Sequence, residues 1–203
     1  MLTLYTHNTP NGYKISIALE ELGVSYETRV IDVRAGEQFK AEFLDVNPNA
    51  KIPVLADSET GQTIWESGAI LLYLAEKSGQ LLPLGEKWQA LQWLFFQTSN
   101  LGPMLGQRMH FAMMAKEKLP YAIERYTREV ERLYDVMETH LSSREYFLSQ
   151  YSIVDIAHFG WLYTATRAGI SMDKQPSLAA WYERIAARPA AMRGVRIPSP
   201  LPF

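Results

Sequence analysis

The stretch Tyr5–Lys14, YTHNTPNGYK, leaves a short apolar strand and enters an amphipathic helix, and it sets a hydroxyl at Thr9 and an amide at Asn11 where the helix begins. Donors at the start of a helix sit at its positive end, where they can hold an anion. A second candidate is Ile52-Pro53 in NPNAKIPVL, at a strand start. Proline removes a ladder donor there and permits a cis bond at about 0.5–1 kcal/mol, so the Ile52 backbone can meet an incoming extended peptide. Taken alone, the same pair also reads as a proline that opens an edge strand. The third candidate is Glu66-Ser67 in WESGAI, at a strand-to-helix junction. Ser67 suits an N-cap whose free N–H groups accept a carboxylate, and Glu66 can take an ammonium, which together fit an α-amino acid head group. A plain cap beside a solvated acid is the other reading.

Composition narrows what these groups can do. The chain has no cysteine, so disulfide scaffolds, thiolate metal sites and a protein thiol nucleophile are all excluded, and any thiol chemistry must borrow its sulfur. Its four histidines, His7, His110, His140 and His158, show no metal-ligand spacing, and no metal is expected. With a formal net charge of −2 and no basic run, the footprint of a nucleic-acid binder is missing. No early basic-then-apolar segment and no apolar run near the roughly 20 residues of a membrane span are present, so a cytoplasmic protein with no membrane partner is expected.

The elements that must position the three candidates follow from periodicity and punctuation. MLTLY reads as a strand, and the helix after it has Thr9 as N-cap, Pro10 at its first position and Gly23 as its stop. YETRVIDV alternates as a second strand, EQFKAEFLDVNP reads as a short helix, IPVLAD and QTIWE as a hairpin across SETG, and SGAILLYLAEKSG as a helix. The order βαβα-ββα describes a small α/β domain over residues 1–78. Beyond a linker at 79–86 no strand pattern recurs, and helices are predicted over 87–114 with a break near Gly102-Pro103, 119–142, 153–168 and 177–187, making 87–203 an all-helical domain with an extended tail, RIPSPLPF.

On NPNAKIPVL and WESGAILLYLAEK the first 77 residues resemble the thioredoxin-fold domain of a glutathione transferase, and THNTPNGYK, GEQF, LGPMLGQ and PYAIERY are similar to the bacterial nu-class group, which acts on disulfides with bound glutathione. The resemblance implies that Thr9 and Asn11 lie near the glutathione sulfur as the catalytic residues, that Gln38 and Ile52 hold the tripeptide, and that Glu66 and Ser67 take its γ-glutamyl end; Lys51 and Pro53, which flank Ile52, are expected to join the binding set. Arg125, in PYAIERY, is implied to contribute from the helical domain, and a homodimer is implied as well. A free thiol has a pKa of about 8.5, and donors aimed at the sulfur lower it by favouring the charged form. A threonine hydroxyl that spends its lone pair on a helix cap keeps its hydrogen to donate.

Other residues are weighed beside these. Tyr13 is a substitute for Thr9, although its position alone suggests a surface or pocket-lining aromatic, and Tyr5 and His7 lie on the same turn. Lys14 and Lys51 can add positive potential, Lys51 more directly because it adjoins the peptide clamp. Met104, Met109, Met113 and Met114 with Phe111 can line an adaptable apolar pocket or pack a helical core. Ser152 and Asp155 form a capping box that serves folding. The expected activity is glutathione-dependent reduction of a small disulfide. The alternatives are conjugation to an electrophile or peroxide reduction, and a glutathione-binding module without turnover.

Overall fold

The computed structural model of the protein describes residues 1–199, so the end of the predicted extended tail lies outside the described residues. Contacts divide the chain into two units, Met1–Leu81 with Ala186–Phe203, and Leu82–Ile185. In the first, β1 (Leu2–Thr6) buries Leu2, Leu4 and Thr6, the period of two of a strand with one core face. Thr9 caps α1 (Pro10–Leu22), and Gly23 closes that helix in the left-handed region at φ 63°. The next strand, β2 (Tyr26–Val30), pairs parallel with β1, completing the predicted βαβ unit. Over EQFKAEFLDVNP the single predicted helix is a 3-10 turn, Glu37–Phe39, followed by α2 (Ala41–Leu44). The break falls at Lys40, which is extended, where Glu37 accepts from both Lys40 Nζ and the Asp32 N–H at 2.8 Å and so folds the segment back on itself.

The hairpin is β3 (Val54–Asp57) and β4 (Gln62–Trp65), and α3 (Ser67–Ser78) follows it. Sheet order is β2-β1-β3-β4, with β3 antiparallel to both neighbours. This corrects the edge-strand expectation for Ile52-Pro53: the strand it leads into is internal, because β1 flanks it on the side away from the hairpin. Asp57, buried at the hairpin base, accepts from Tyr73 Oη at 2.5 Å and Lys77 Nζ at 2.6 Å, both on α3. Burial would raise its carboxyl, but these donors and the Glu59 N–H hold it well below the usual carboxylate range.

In the second unit, α4 (Lys87–Phe96) passes through a π-helical stretch at 97–101 into α5 (Gly102–Met109), and a further π-helical stretch ends the segment at 110–114. Gly102 has a packing reason as well as a kinking one, since a Cβ there would lie 3.1 Å from the Trp161 indole. Helix α6 (Pro120–Leu141) buries Val130, Leu133, Tyr134, Met137 and Leu141 on one stripe and turns its Glu/Arg face outward. At the start of α7 (Ile153–Arg167) the predicted capping box is present: Ser152 Oγ accepts from the Val154 N–H, and Asp155 accepts from the Ser152 N–H at 2.9 Å. Asp155 does more than cap. It is fully buried and also accepts from the Phe147 N–H at 3.1 Å and from Trp181 Nε1 at 2.8 Å, which ties α7 to α8 (Pro176–Ala186).

A short helix that periodicity does not announce, α9 (Pro189–Gly194), packs on α1 within the first unit. The approach is close enough to require glycine: a Cβ on Gly194 would lie 2.5 Å from Ile17 Cα, and Ser16 Oγ donates to the Gly194 carbonyl at 2.7 Å. Arg188 makes a two-point bond to Glu21 at 2.7 and 2.8 Å, and Arg193 bonds Glu20 at 2.7 Å. No helix among the described residues is long and apolar enough to cross a membrane.

Asp155→Ala leaves four buried donors without this acceptor, the Ser152 N–H and hydroxyl, the Phe147 N–H and Trp181 Nε1, and is expected to cost about 3 kcal/mol or more in urea unfolding, against about 1 kcal/mol for Ser152→Ala. Burial pushes the Asp155 carboxyl up to about 6 despite its donors. The folded state therefore holds this proton where the unfolded chain has lost it, so the group's contribution is full below the ordinary carboxylate range and falls away as pH rises through about 6. The stability difference between wild type and Asp155→Asn is expected to follow that slope between about pH 4 and pH 6.

Candidate active site

Strand register brings the candidate groups of the first unit to one place. Tyr5 pairs with Arg29 on one side and Val54 on the other, and Val54 pairs with Trp65, so a single row crosses the sheet as Arg29, Tyr5, Val54, Trp65. Chain directions along that row make β1, β2 and β4 leave the sheet, and β3 enter it, at the same end. The Thr6–Thr9 turn, the Ile31–Phe39 segment, Lys51–Pro53 and Glu66-Ser67 therefore emerge side by side.

The turn is built for its hydroxyl. Thr9 is extended at φ −140° and ψ 154°, and its Oγ1 accepts from the Gly12 N–H at 3.1 Å, leaving the hydroxyl hydrogen to donate elsewhere. Gly12 is required by close packing, for a Cβ would lie 2.4 Å from Thr6 Oγ1 and 2.5 Å from the His7 carbonyl. Asn11 is half-buried in the first turn of α1. Its neighbour Tyr13 is 1% exposed, which corrects the expectation of a surface or pocket-lining ring: it faces the core from α1. Tyr5 is engaged with β2, taking Arg29 over its ring at 5.5 Å and at its hydroxyl at 3.4 Å.

Gln38 sits in the 3-10 turn with Nε2 on the Val33 carbonyl at 3.2 Å, while its Oε1 is buried without a partner among the described residues, an acceptor waiting for a donor. Lys51 is exposed, and its carbonyl accepts from the buried Asn47 amide at 2.7 Å. The Ile52-Pro53 bond is cis, and both sheet ladders begin only at Val54. Glu66 is exposed and adopts φ 71° and ψ 116°, a backbone region that non-glycine residues seldom occupy and that recurs at functional sites. Ser67 is not the N-cap that the sequence suggests. Glu66 occupies that position, no side chain caps the helix, and Ser67 is the first helical residue, so the N-terminal N–H groups of α3 keep their capacity for an anion.

Lys14 departs most from its sequence reading. It is 1% exposed, and Nζ donates to Ser67 Oγ at 3.1 Å, joining α1 to the start of α3. Burial pushes its ammonium down to about 7, with the Glu66 carboxylate pulling the other way. The available signal was its place on the apolar face beside Ile17 and Ala18, where a solvated lysine does not belong.

In the second unit, Arg125 is exposed on α6 and lines a cavity of about 590 Å³ with Asn100, Met104, Tyr126, Arg128 and Arg132. Glu129 there is already held by Arg132 at 2.7 Å. Met104 and Met109 are half-buried and Met113 and Met114 exposed, so none belongs to the buried core that was their alternative. Phe111 stacks on Tyr126 at 5.6 Å.

Residues 1–76 match the family model for the glutathione S-transferase N-terminal domain, and residues 103–189 the one for the C-terminal domain. The disulfide-bond oxidoreductase YfcG of Escherichia coli (strain K12) is 45% identical over 198 residues, 94% of this chain and 92% of that protein. Among solved structures, a glutathione transferase from Pseudomonas putida with one glutathione disulfide bound per subunit matches at TM-score 0.92 and 38% identity, covering 98% of this chain and 92% of that one. A glutathione transferase from Burkholderia graminis with two glutathione molecules bound per subunit matches at TM-score 0.92 and 39% identity, covering 97% and 88%.

Gly12→Ala is expected to destabilise the protein by about 1–3 kcal/mol in chemical unfolding, because the added methyl meets backbone and a buried hydroxyl that have little room to yield.

Proposed function

We propose that this chain, which belongs to the glutathione S-transferase family, reduces small disulfides with glutathione as its thiol. The observation that supports the reading is the row of strand ends that brings the Thr6–Thr9 turn, Lys51–Pro53 and Glu66-Ser67 out at one end of the sheet, in a chain with no cysteine. Thr9 and Asn11 act at the sulfur. Gln38, Lys51, Ile52 and Pro53 hold the tripeptide backbone, and Glu66 with Ser67 and the α3 N-terminus takes the γ-glutamyl ammonium and carboxylate. Arg125 enters on family resemblance alone. The reading extends to the nu-class group, a homodimer and the cytoplasm, each on the same resemblance.

The chemistry balances without any protein thiol. A glutathione thiolate attacks one sulfur of the substrate disulfide, forms a mixed disulfide and releases the other half as a thiolate. A second glutathione thiolate then attacks the glutathione sulfur of that intermediate, giving glutathione disulfide and freeing the second substrate thiol. The relatives with one glutathione disulfide or two glutathiones bound per subunit support this stoichiometry. The work left to the protein is orientation and charge: Thr9 Oγ–H and Asn11 donate toward the sulfur at the positive end of α1, favouring the thiolate at neutral pH.

On purified protein with glutathione and hydroxyethyl disulfide, glutathione disulfide is expected to form, with little thioether from an activated aryl chloride. Thr9→Ala and Asn11→Ala should each lower kcat/KM for the disulfide about 10- to 100-fold, the worth of a donor to a charged group, and Thr9→Ser should restore most of it. Thioether as the main product would make the protein a conjugating transferase. Glutathione binding with no turnover, unchanged in both alanine variants, would make it a binding module.

A further inference from the structure

We infer that Lys14 is a positioning residue for glutathione: from beneath the α3 N-terminus its buried Nζ orients the Ser67 hydroxyl as a donor toward the γ-glutamyl carboxylate and supplies that carboxylate with a counter-charge. The inference rests on the glutathione reading above and deepens it. An ammonium has three donors and no acceptor, so the 3.1 Å contact makes Ser67 Oγ the acceptor and leaves the serine hydrogen for a second partner, the role assigned here to the ligand carboxylate. Polarised by that donor, the hydroxyl becomes a stronger donor itself. A neutral amine reverses the arrangement. It can accept from Ser67, and the serine hydrogen then turns inward, away from the ligand.

The surroundings make this control effective. Ser67 is 6% exposed and Lys14 is 1% exposed, so their interaction is weakly screened by water. From the β4–α3 junction the charged group facing Lys14 is Glu66. Charged groups on α9 are already engaged, Arg188 with Glu21 and Arg193 with Glu20, and the nearest titratable group of β1, Tyr5, is bound to Arg29. The ammonium is pushed down to about 7 by burial, so near neutral pH it is poised between its two forms. A carboxylate arriving at Ser67 favours the charged form, and ligand binding therefore draws in a proton; affinity weakens as pH climbs above about 7.

The test uses S-methylglutathione, which keeps the peptide and lacks the titrating thiol. Calorimetry at about pH 7.5 in two buffers of different ionisation enthalpy is expected to show uptake of a fraction of a proton per ligand bound by wild type. In Lys14→Met that uptake should vanish and affinity fall about 10- to 100-fold, and Ser67→Ala should cost much less in the Lys14→Met background than in wild type. Should Lys14→Met fail to fold, Lys14→Arg, whose charge does not titrate in this range, is expected to bind with proton uptake reduced to the part owed to the ligand's own α-amino group, and uptake unchanged from wild type overturns the role of Lys14. Binding without proton uptake, or uptake that persists in Lys14→Met, overturns the role of Lys14 and leaves the glutathione reading standing. No binding of S-methylglutathione by wild type overturns both.

Discussion

Helix α1 is enclosed, and the candidate site depends on that enclosure. Residues Gly12–Leu19 are buried without interruption, a pattern that a surface helix with one apolar stripe cannot produce. Two other helices of the first unit account for it: α3 packs against α1, and α9 approaches so closely that only glycine fits at 194. A helix held from several directions cannot shift or tilt without breaking packing on another face. Its N-terminus, with the Thr9 cap and the Asn11 turn, is therefore fixed in space before any ligand arrives, which is what electrostatic stabilisation of a developing or resident charge requires.

The same enclosure explains the polar groups inside the first unit. Ser16 is buried and spends its hydroxyl on the Gly194 carbonyl, satisfying a helix end that packing has closed off from water. Asp57 spends its carboxylate on Tyr73 and Lys77 and so locks the hairpin to α3. Through Val54, the hairpin shares the row that carries Tyr5 and Trp65. Rigid elements thus define three of the chain segments at the sheet end, and the unusual backbone of Glu66 is held by a strand on one side and a helix on the other.

The parts of this arrangement that were legible in the residues are those written in local chemistry. Thr9, Pro10 and Gly23 mark the limits of α1; Gly79 ends α3; Ser152 and Asp155 open α7; each signal works over a few residues and needs no tertiary information. Illegible parts depended on contacts between distant segments. PAAMRG gives too few turns for a periodic signal, and its helix is explained by Ile17, far away in sequence. By residue type Lys14 belongs at the surface, and only the convergence of α1 with Ser67 makes it interior. Ser67 suits a cap by residue type, yet the chain enters α3 through Glu66 at positive φ, and this moves the cap by one position. Proline at the start of β3 favours an edge strand. The true place of β3 follows from pairing with β1, which no local pattern encodes.

The choice of hydroxyl and amide donors, rather than a cation, has a consequence for the proposed reaction. A thiolate loses nucleophilicity as its pKa falls, with a Brønsted coefficient of about 0.4–0.5, so the fastest attacking thiol has a pKa near ambient pH. Starting from about 8.5, a thiol needs a shift of only about one to one and a half units to reach that optimum, or roughly 2 kcal/mol of differential stabilisation. Neutral donors such as Thr9 Oγ–H and Asn11 supply this order of energy, and a full positive charge in contact with the sulfur would carry the pKa past it. In the first unit the buried cation is placed accordingly. Lys14 bonds Ser67 at the head of α3, the end proposed for the peptide's carboxylate, while the turn proposed for the sulfur contains a hydroxyl, an amide and the N–H groups of α1.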